Sequence, residues 1–122
     1  MSYGILVVSH VKEIADGVLK LIAQVAADVP ITTAGGTDDD GIGTSVAKIT
    51  SAVEHNEGDE ILAFYDLGSA KMNLDMVMEL SDKKIHLYNV ALVEGAYTAA
   101  ALLQAGQDLP TIEKQLQPLK IK

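Results

Sequence analysis

Four short apolar runs punctuate the chain at regular intervals, and their character constrains the fold more than any other feature. "YGILVVS" (3–9) and "EILAFYD" (60–66) are dense in large apolar residues with little polar alternation. Runs of this kind read as strands buried on both faces. "ITTAG" (31–35) is a shorter, weaker strand, and "KIHLYNV" (84–90) is a fourth. Between the runs, apolar residues recur at helical spacing: Ile14, Val18, Leu21, Ile22 and Val25, then Val46, Ile49 and Val53 behind an N-cap at Thr44, then Leu74, Val77 and Met78. "EGAYTAAALLQAG" (94–106) reads as a small-residue helix with Gly106 suited to its C-terminal cap, "TIEKQL" (111–116) as a short helix, and "PLKIK" (118–122) as a final edge strand.

Strand–helix alternation of this kind predicts an α/β fold. The expectation is a single three-layer domain over 1–122, with a mainly parallel central sheet of four or five strands and helices on both faces. A length of 122 residues fits one domain, and an apolar content of 48% supplies its core. The chain contains no cysteine, which excludes disulfide scaffolds, thiolate nucleophiles and Cys-type zinc sites. "MSYGILVV" has no basic region and is too short for a signal peptide or a membrane span, so a soluble cytoplasmic protein is expected. The formal net charge is −8, with nine lysines and no arginine. No basic patch offers itself to nucleic acid or to an anionic membrane, and a bidentate arginine clamp on phosphate is excluded.

In open parallel sheets, ligands bind beyond the carboxyl ends of the strands, near the point where strand order switches. Here those ends carry His10, Gly35, Asp66 and the segment after Val90. His10 follows a buried run directly. Neutral imidazole is a good nucleophile near pH 7, and the helix starting at Val11 and Lys12 would favour an anion beside it. The plain alternative is that His10 only ends its strand. Asp66 ends the third strand on the same edge, where a carboxylate could hold one ring nitrogen and leave the other to attack. Its plain alternative is a cap on its own turn.

"GGTDDDGIGT" (35–44) has four glycines ahead of a helix start, as an anion-binding nest would, yet a flexible surface loop reads equally well. It is neither a Walker loop nor an EF-hand. Asp38, Asp39 and Asp40 read as a solvated acidic run, with a magnesium site the weaker reading, and no metal site is expected. Gly68 and Ser69 offer backbone and hydroxyl donors at another helix start. Glu94 reads as a favourable first-turn acid, the alanine run with Tyr97 as close packing or a subunit contact, His55 as solvated and His86 as a satisfied core or edge histidine.

Taken together, "VSH", "AGGTDD…GIGT", "YDLGSA" and "LVEGA", in this order and spacing, resemble the phosphotransferase-system subunit of bacterial dihydroxyacetone kinase, the DhaM family, related to the mannose-type IIA domains. The resemblance covers essentially the whole chain. It implies the mannose-type IIA fold and a homodimer. It implies that His10 accepts a phosphoryl group from phospho-HPr, supplied by phosphoenolpyruvate through Enzyme I, and passes it to ADP on the DhaL subunit, which serves dihydroxyacetone held on DhaK. It further implies that Asp66 is the acid beside the active histidine. Gly35, Gly36 and Thr37, with Gly68 and Ser69, would line the phosphate. No cofactor would be held permanently, the phosphoryl group being carried covalently on His10. One position departs from the family pattern: relatives often follow the histidine with serine, and here Val11 stands there. Members with fused HPr-like and Enzyme I-like domains also exist, and this chain reads as the single-domain form. Two rival readings are a mannose-type sugar-transporter IIA subunit that serves a IIB domain, and a receiver-type domain phosphorylated on Asp66. The second wants an acidic pair where Ser9 and His10 stand, and a lysine where Glu94 stands.

Overall fold

The computed structural model describes residues 2–122, so Met1 of the expected 1–122 domain lies outside the described residues. Four parallel strands form one sheet: β1 (Tyr3–Ser9), β2 (Ile31–Gly35), β3 (Glu60–Tyr65) and β4 (Lys84–Tyr88). They alternate with α1 (Lys12–Ile22), α2 (Val46–His55), α3 (Ala70–Leu80) and α4 (Leu92–Gln104), and α5 (Leu109–Leu116) follows. This is the expected α/β class, with four strands in the sheet, and it is consistent with a mannose-type IIA fold. Among the described residues no helix is long and apolar enough to cross a membrane.

The sheet splits the core into two layers because successive side chains of a strand point to opposite faces. Ile5, Val7, Leu62 and Phe64 pack on one side against Ala15, Val18 and Ile22 of α1, the alanines of α4, and Ile112 and Leu116 of α5. Leu6, Val8, Ile61, Ala63 and Tyr65 pack on the other against α2 and α3. Ile5 through Val8 are fully buried, as an inner parallel strand requires. The stripe of α1 that faces the sheet is centred on Ala15, Val18 and Ile22, while Ile14 and Leu21 lie half-exposed beside it. In α4 the small residues allow close approach. A Cβ on Gly95 would stand 2.4 Å from Val90 Cγ2 and 3.3 Å from Phe64 Cδ1 of β3, so that position brings α4 close to the sheet and to the segment after β4.

The strand order is β2-β1-β3-β4, with Val8 opposite Tyr65 in the β1–β3 register. The chain moves outward from β1 to β2, then returns to the other side of β1 for β3. The switch point therefore falls between β1 and β3, and the loops after these two strands open side by side.

Several element ends differ from the sequence expectation. The N-cap of α2 is Ser45, whose hydroxyl accepts from the Lys48 N–H, while Thr44 Oγ1 accepts from Asn73 Nδ2 at 2.7 Å. α4 starts at Leu92, ahead of Glu94. α5 starts at Leu109, two residues before Thr111, because Asp108 caps it and Pro110 fits its first turn. "PLKIK" forms no strand. Pro118 cannot donate to a ladder, and Gln117–Leu119 is a 3₁₀ turn, after which only Lys120 bridges, antiparallel, to Val90. The tail then runs along the sheet's carboxyl edge, with Ile121 donating to the Asn89 carbonyl at 3.3 Å.

Candidate active site

β1 delivers His10 and β3 delivers Asp66, each in the first position beyond its strand. Fifty-six residues separate them along the chain, and pairing of the two strands makes them neighbours. Asp66 turns out of the strand because its carboxylate is drawn back to the end of β1. Oδ1 lies 2.8 Å from His10 Nδ1 and accepts the Leu67 N–H at 2.7 Å. Oδ2 accepts the Ser9 hydroxyl at 2.8 Å and the His10 N–H at 2.9 Å. Burial pushes the Asp66 pKa up, but the hydrogen bonds from His10, Ser9 and Leu67 outweigh it and hold the carboxyl below its ordinary range. The two sequence readings of Asp66 are therefore both realised: it caps its own turn and it engages the histidine.

An ionised carboxylate only accepts hydrogen bonds, so the proton on His10 sits on Nδ1 and Nε2 carries the lone pair. Ser69 Oγ stands 2.6 Å from Nε2 and donates to it. The side chains of His10 and Asp66 are 15% and 16% exposed, enough for a group to reach Nε2 and little enough to hold the ring still. The Asp66 carboxylate already receives four donors, which leaves neither oxygen open for attack at phosphorus, as a receiver-type role would need.

Gly68 and Ser69 are exposed at the start of α3, and their amides meet no acceptor among the described residues. The start of α1 lies immediately beyond His10, so the helices that follow β1 and β3 both begin beside the histidine. The glycine-rich loop is organised differently. Gly35 and Gly36 are buried. A Cβ on Gly35 would lie 2.6 Å from Lys12 Cα, so this glycine lets α1 pass close to β2. The Gly36 N–H bonds the Ser9 carbonyl, Thr37 N–H the Gly41 carbonyl, and Gly43 N–H the His10 carbonyl. These amides brace the loop and the end of β1, and are not directed at Nε2. In the acidic run, Asp38 bonds the Ser45 hydroxyl and Asp40 pairs with Lys48. Among the described residues no group of three or more His, Asp or Glu side chains converges as a metal site.

His55 ends α2 with Nδ1 on the Ser51 carbonyl at 2.8 Å, and His86 pairs with Glu60 at 2.6 Å; neither approaches His10. The structure adds two residues that sequence reasoning passed over. Ser9 is fully buried beneath Asp66, and a hydroxyl closing an otherwise apolar run was its only signal. Lys122 sets its ammonium on the Tyr65 and Asp66 carbonyls at 2.6 and 2.7 Å, and 4.2 Å from the centre of the Tyr65 ring. Burial lowers the Lys122 pKa, against the pull of Asp66. Nothing in the local sequence signals that contact, since the tail is laid along the site by its pairing with the segment Asn89–Ala91.

Residues 4–113 match the family described as PTS system fructose IIA component. A Lactococcus lactis protein, the "PTS-dependent dihydroxyacetone kinase, phosphotransferase subunit DhaM", is 50% identical over 100% of this chain and 99% of its own length. A Listeria innocua protein, the "PEP-dependent dihydroxyacetone kinase 1, phosphoryl donor subunit DhaM", is 47% identical over 98% of this chain and 97% of its own. The chain belongs to the DhaM family of IIA-type components. A solved crystal structure of a protein of unknown function superposes with a TM-score of 0.87 at 32% identity, covering 100% of this chain and 98% of that one. The DhaM resemblance read from "VSH", "YDLGSA" and "LVEGA" is thus shown, and the histidine and aspartate of those motifs are the pair that the fold brings into contact.

Proposed function

We propose that this chain is the phosphocarrier subunit of a dihydroxyacetone kinase, with His10 Nε2 as the atom that carries the phosphoryl group. The observation that carries the reading is the Asp66–His10–Ser69 line, in which a carboxylate fixes the proton on Nδ1 and a hydroxyl at Nε2 marks the side from which a phosphoryl group would arrive. The donor is phospho-HPr, charged from phosphoenolpyruvate through Enzyme I. The Nε2 lone pair attacks phosphorus, the bond to the donor imidazole breaks, and that imidazole leaves with the electron pair. Ser69 Oγ turns its proton from Nε2 to a phosphoryl oxygen, and the Gly68 and Ser69 amides hold the others. Gly35, Gly36 and Thr37 shape the neighbouring wall. The group then passes to ADP on DhaL, for use on dihydroxyacetone bound to DhaK, and leaves His10 as it began.

A relay must release what it accepts. A site of amides and hydroxyls, with no arginine in the chain, is suited to that reversibility. Ile42, Leu67 and Met72 are exposed on the loops and first turn beside the site, and give docking partners an apolar rim. The net charge of −8 adds steering toward basic partners, so association should weaken with salt. The protein acts as a homodimer in the cytoplasm.

Incubation with phosphoenolpyruvate, Enzyme I and HPr is expected to give an acid-labile, base-stable phosphoprotein, and His10→Ala to abolish it. Labelling retained in that variant overturns the assignment of His10. The fructose IIA description of the matching family keeps a sugar-transporter role as the second reading. Presenting the phosphorylated protein with DhaL–ADP or with a IIB domain separates the two by which one discharges it.

A further inference from the structure

Ser9 is a buried hydroxyl at the end of a strand whose preceding four residues, Ile5 to Val8, are also fully buried. A hydroxyl in such a place must be hydrogen-bonded, and this one is bonded twice. It donates its single proton to Asp66 Oδ2 at 2.8 Å and accepts the Val11 N–H at 3.1 Å. His10 N–H reaches the same carboxylate oxygen at 2.9 Å. Three consecutive residues, Ser9, His10 and Val11, are therefore tied to one oxygen of Asp66, directly or through one hydroxyl. The other oxygen holds the His10 ring.

We propose that Ser9 is a positioning residue for phosphoryl transfer, its hydroxyl orienting the Asp66 carboxylate and the first turn of α1 together and thereby aiming the Nε2 lone pair of His10. The inference rests on the reading of His10 as phosphoryl acceptor. Val11, the N-cap of α1, makes no side-chain cap bond. Its own amide is held by the Ser9 hydroxyl, which fixes the entry of the chain into α1. Water does not substitute here, because Ser9 has no exposed surface. Removing the hydroxyl leaves the amide without that acceptor and lets the carboxylate turn about its last bond.

The titratable groups that face Asp66 are the His10 ring, from the end of β1, and the Lys122 ammonium, from the tail. Both remain in Ser9→Ala, so a change in Asp66 reports the lost hydroxyl. The experiment uses the full chain, unphosphorylated, with 13C-labelled Asp66 and 15N-labelled His10. In Ser9→Ala the Asp66 titration midpoint is expected to rise by about one pH unit, as a carboxylate that loses one donor should. The His10 nitrogen shifts should move away from the pure Nδ1–H tautomer. The phosphoryl-transfer rate should fall about tenfold, with half-saturation by phospho-HPr within about twofold, because the loss lies in aim and not in docking. Ser9→Thr, which keeps the hydroxyl, should recover the midpoint and the tautomer. Ser9→Cys, close in volume and a poor donor, repeats the test should the alanine variant fail to fold. An Asp66 midpoint and His10 shifts that match the wild type would overturn the proposal, whatever happens to stability. Failure of wild-type protein to take phosphate from the relay would instead overturn the phosphocarrier reading, and the two spectroscopic readouts would still decide what Ser9 does.

Discussion

Two loops open at the same edge of the sheet and behave in opposite ways. The loop after β2 is rich in glycine and resembles an anion nest in sequence. In the folded chain the amides of Gly36, Thr37 and Gly43 bond carbonyls of the loop itself or of the end of β1. The loop after β3 has only Gly68, yet it places Asp66 and Ser69 on the two ring nitrogens of His10 and leaves two amides with no acceptor among the described residues. Glycine content thus marks where backbone must bend or pass close, while the capacity to hold an anion depends on which amides remain unused. Gly36, at φ +78°, and Asp40, at φ +63°, supply the bends that let the first loop close on itself.

That contrast can be broken or sharpened by substitution. The largest expected effect is at Asp66. Asp66→Asn turns one of the two accepting oxygens into a donor, so the Nδ1 proton and the donors from Ser9, His10 N–H and Leu67 can no longer all be accepted, and transfer to His10 should slow by roughly a hundredfold in rapid-quench assays, with an unchanged circular dichroism spectrum. Unchanged kinetics would reduce Asp66 to the cap of its own turn. The same residue links the site to pH. Because its folded pKa is depressed, its contribution to stability is full above the ordinary aspartate range and is lost as the pH falls through the lowered value. Acid unfolding of Asp66→Asn should therefore lack that part of the slope when compared with wild type.

Ser69→Ala should follow, with transfer slowed about tenfold and the fold intact, since one hydroxyl donor is lost from an exposed position. A rate equal to wild type would remove Ser69 from the phosphoryl-holding group. The glycines test the contrast more directly. Gly36→Ala should cost about 1–2 kcal/mol in a denaturant titration, because the left-handed backbone penalises a side chain and its Cβ would meet the Gly41 carbonyl at 2.9 Å. Gly68→Ala faces open space and should stay within about 0.5 kcal/mol of wild type, with its amide still available. If Gly36→Ala changed transfer and left stability alone, the proposed division of labour between the loops would be reversed. The smallest effect should come from Lys48→Met. Asp40 is held below its ordinary range by the Lys48 hydrogen bond and charge, so its titration should move up, while transfer stays within about twofold.

How far the site was legible depended on the range of each interaction. His10 and Asp66 could be chosen because both follow runs whose burial is written in their apolar side chains. The helix starts at Val11 and Ser69 were legible for the same reason. Ser9 was harder to find because serine is common at strand ends, and only the position of Asp66 turns its hydroxyl into a fixed donor. Lys122 was illegible. The tail reads as a strand by its alternation, yet Pro118 diverts it into a turn, and its lysine reaches β3 only after Lys120 has bridged to Val90. The N-cap of α2 shifted by one residue, since Thr44 and Ser45 are equal candidates until Asn73 engages the first of them.

Apart from the C-terminal tail, the sequence by itself determined the kind and order of the elements and the edge at which polar residues emerge. Those properties follow from side-chain periodicity, which is local. Only the tertiary structure decided that the second strand pairs on one side of the first and the third on the other, which places Asp66 against His10. It alone also decided which donors remain unused. An amide N–H has one proton to donate, and one in the glycine loop that bonds the end of β1 is no longer available to a ligand, whatever its sequence suggests.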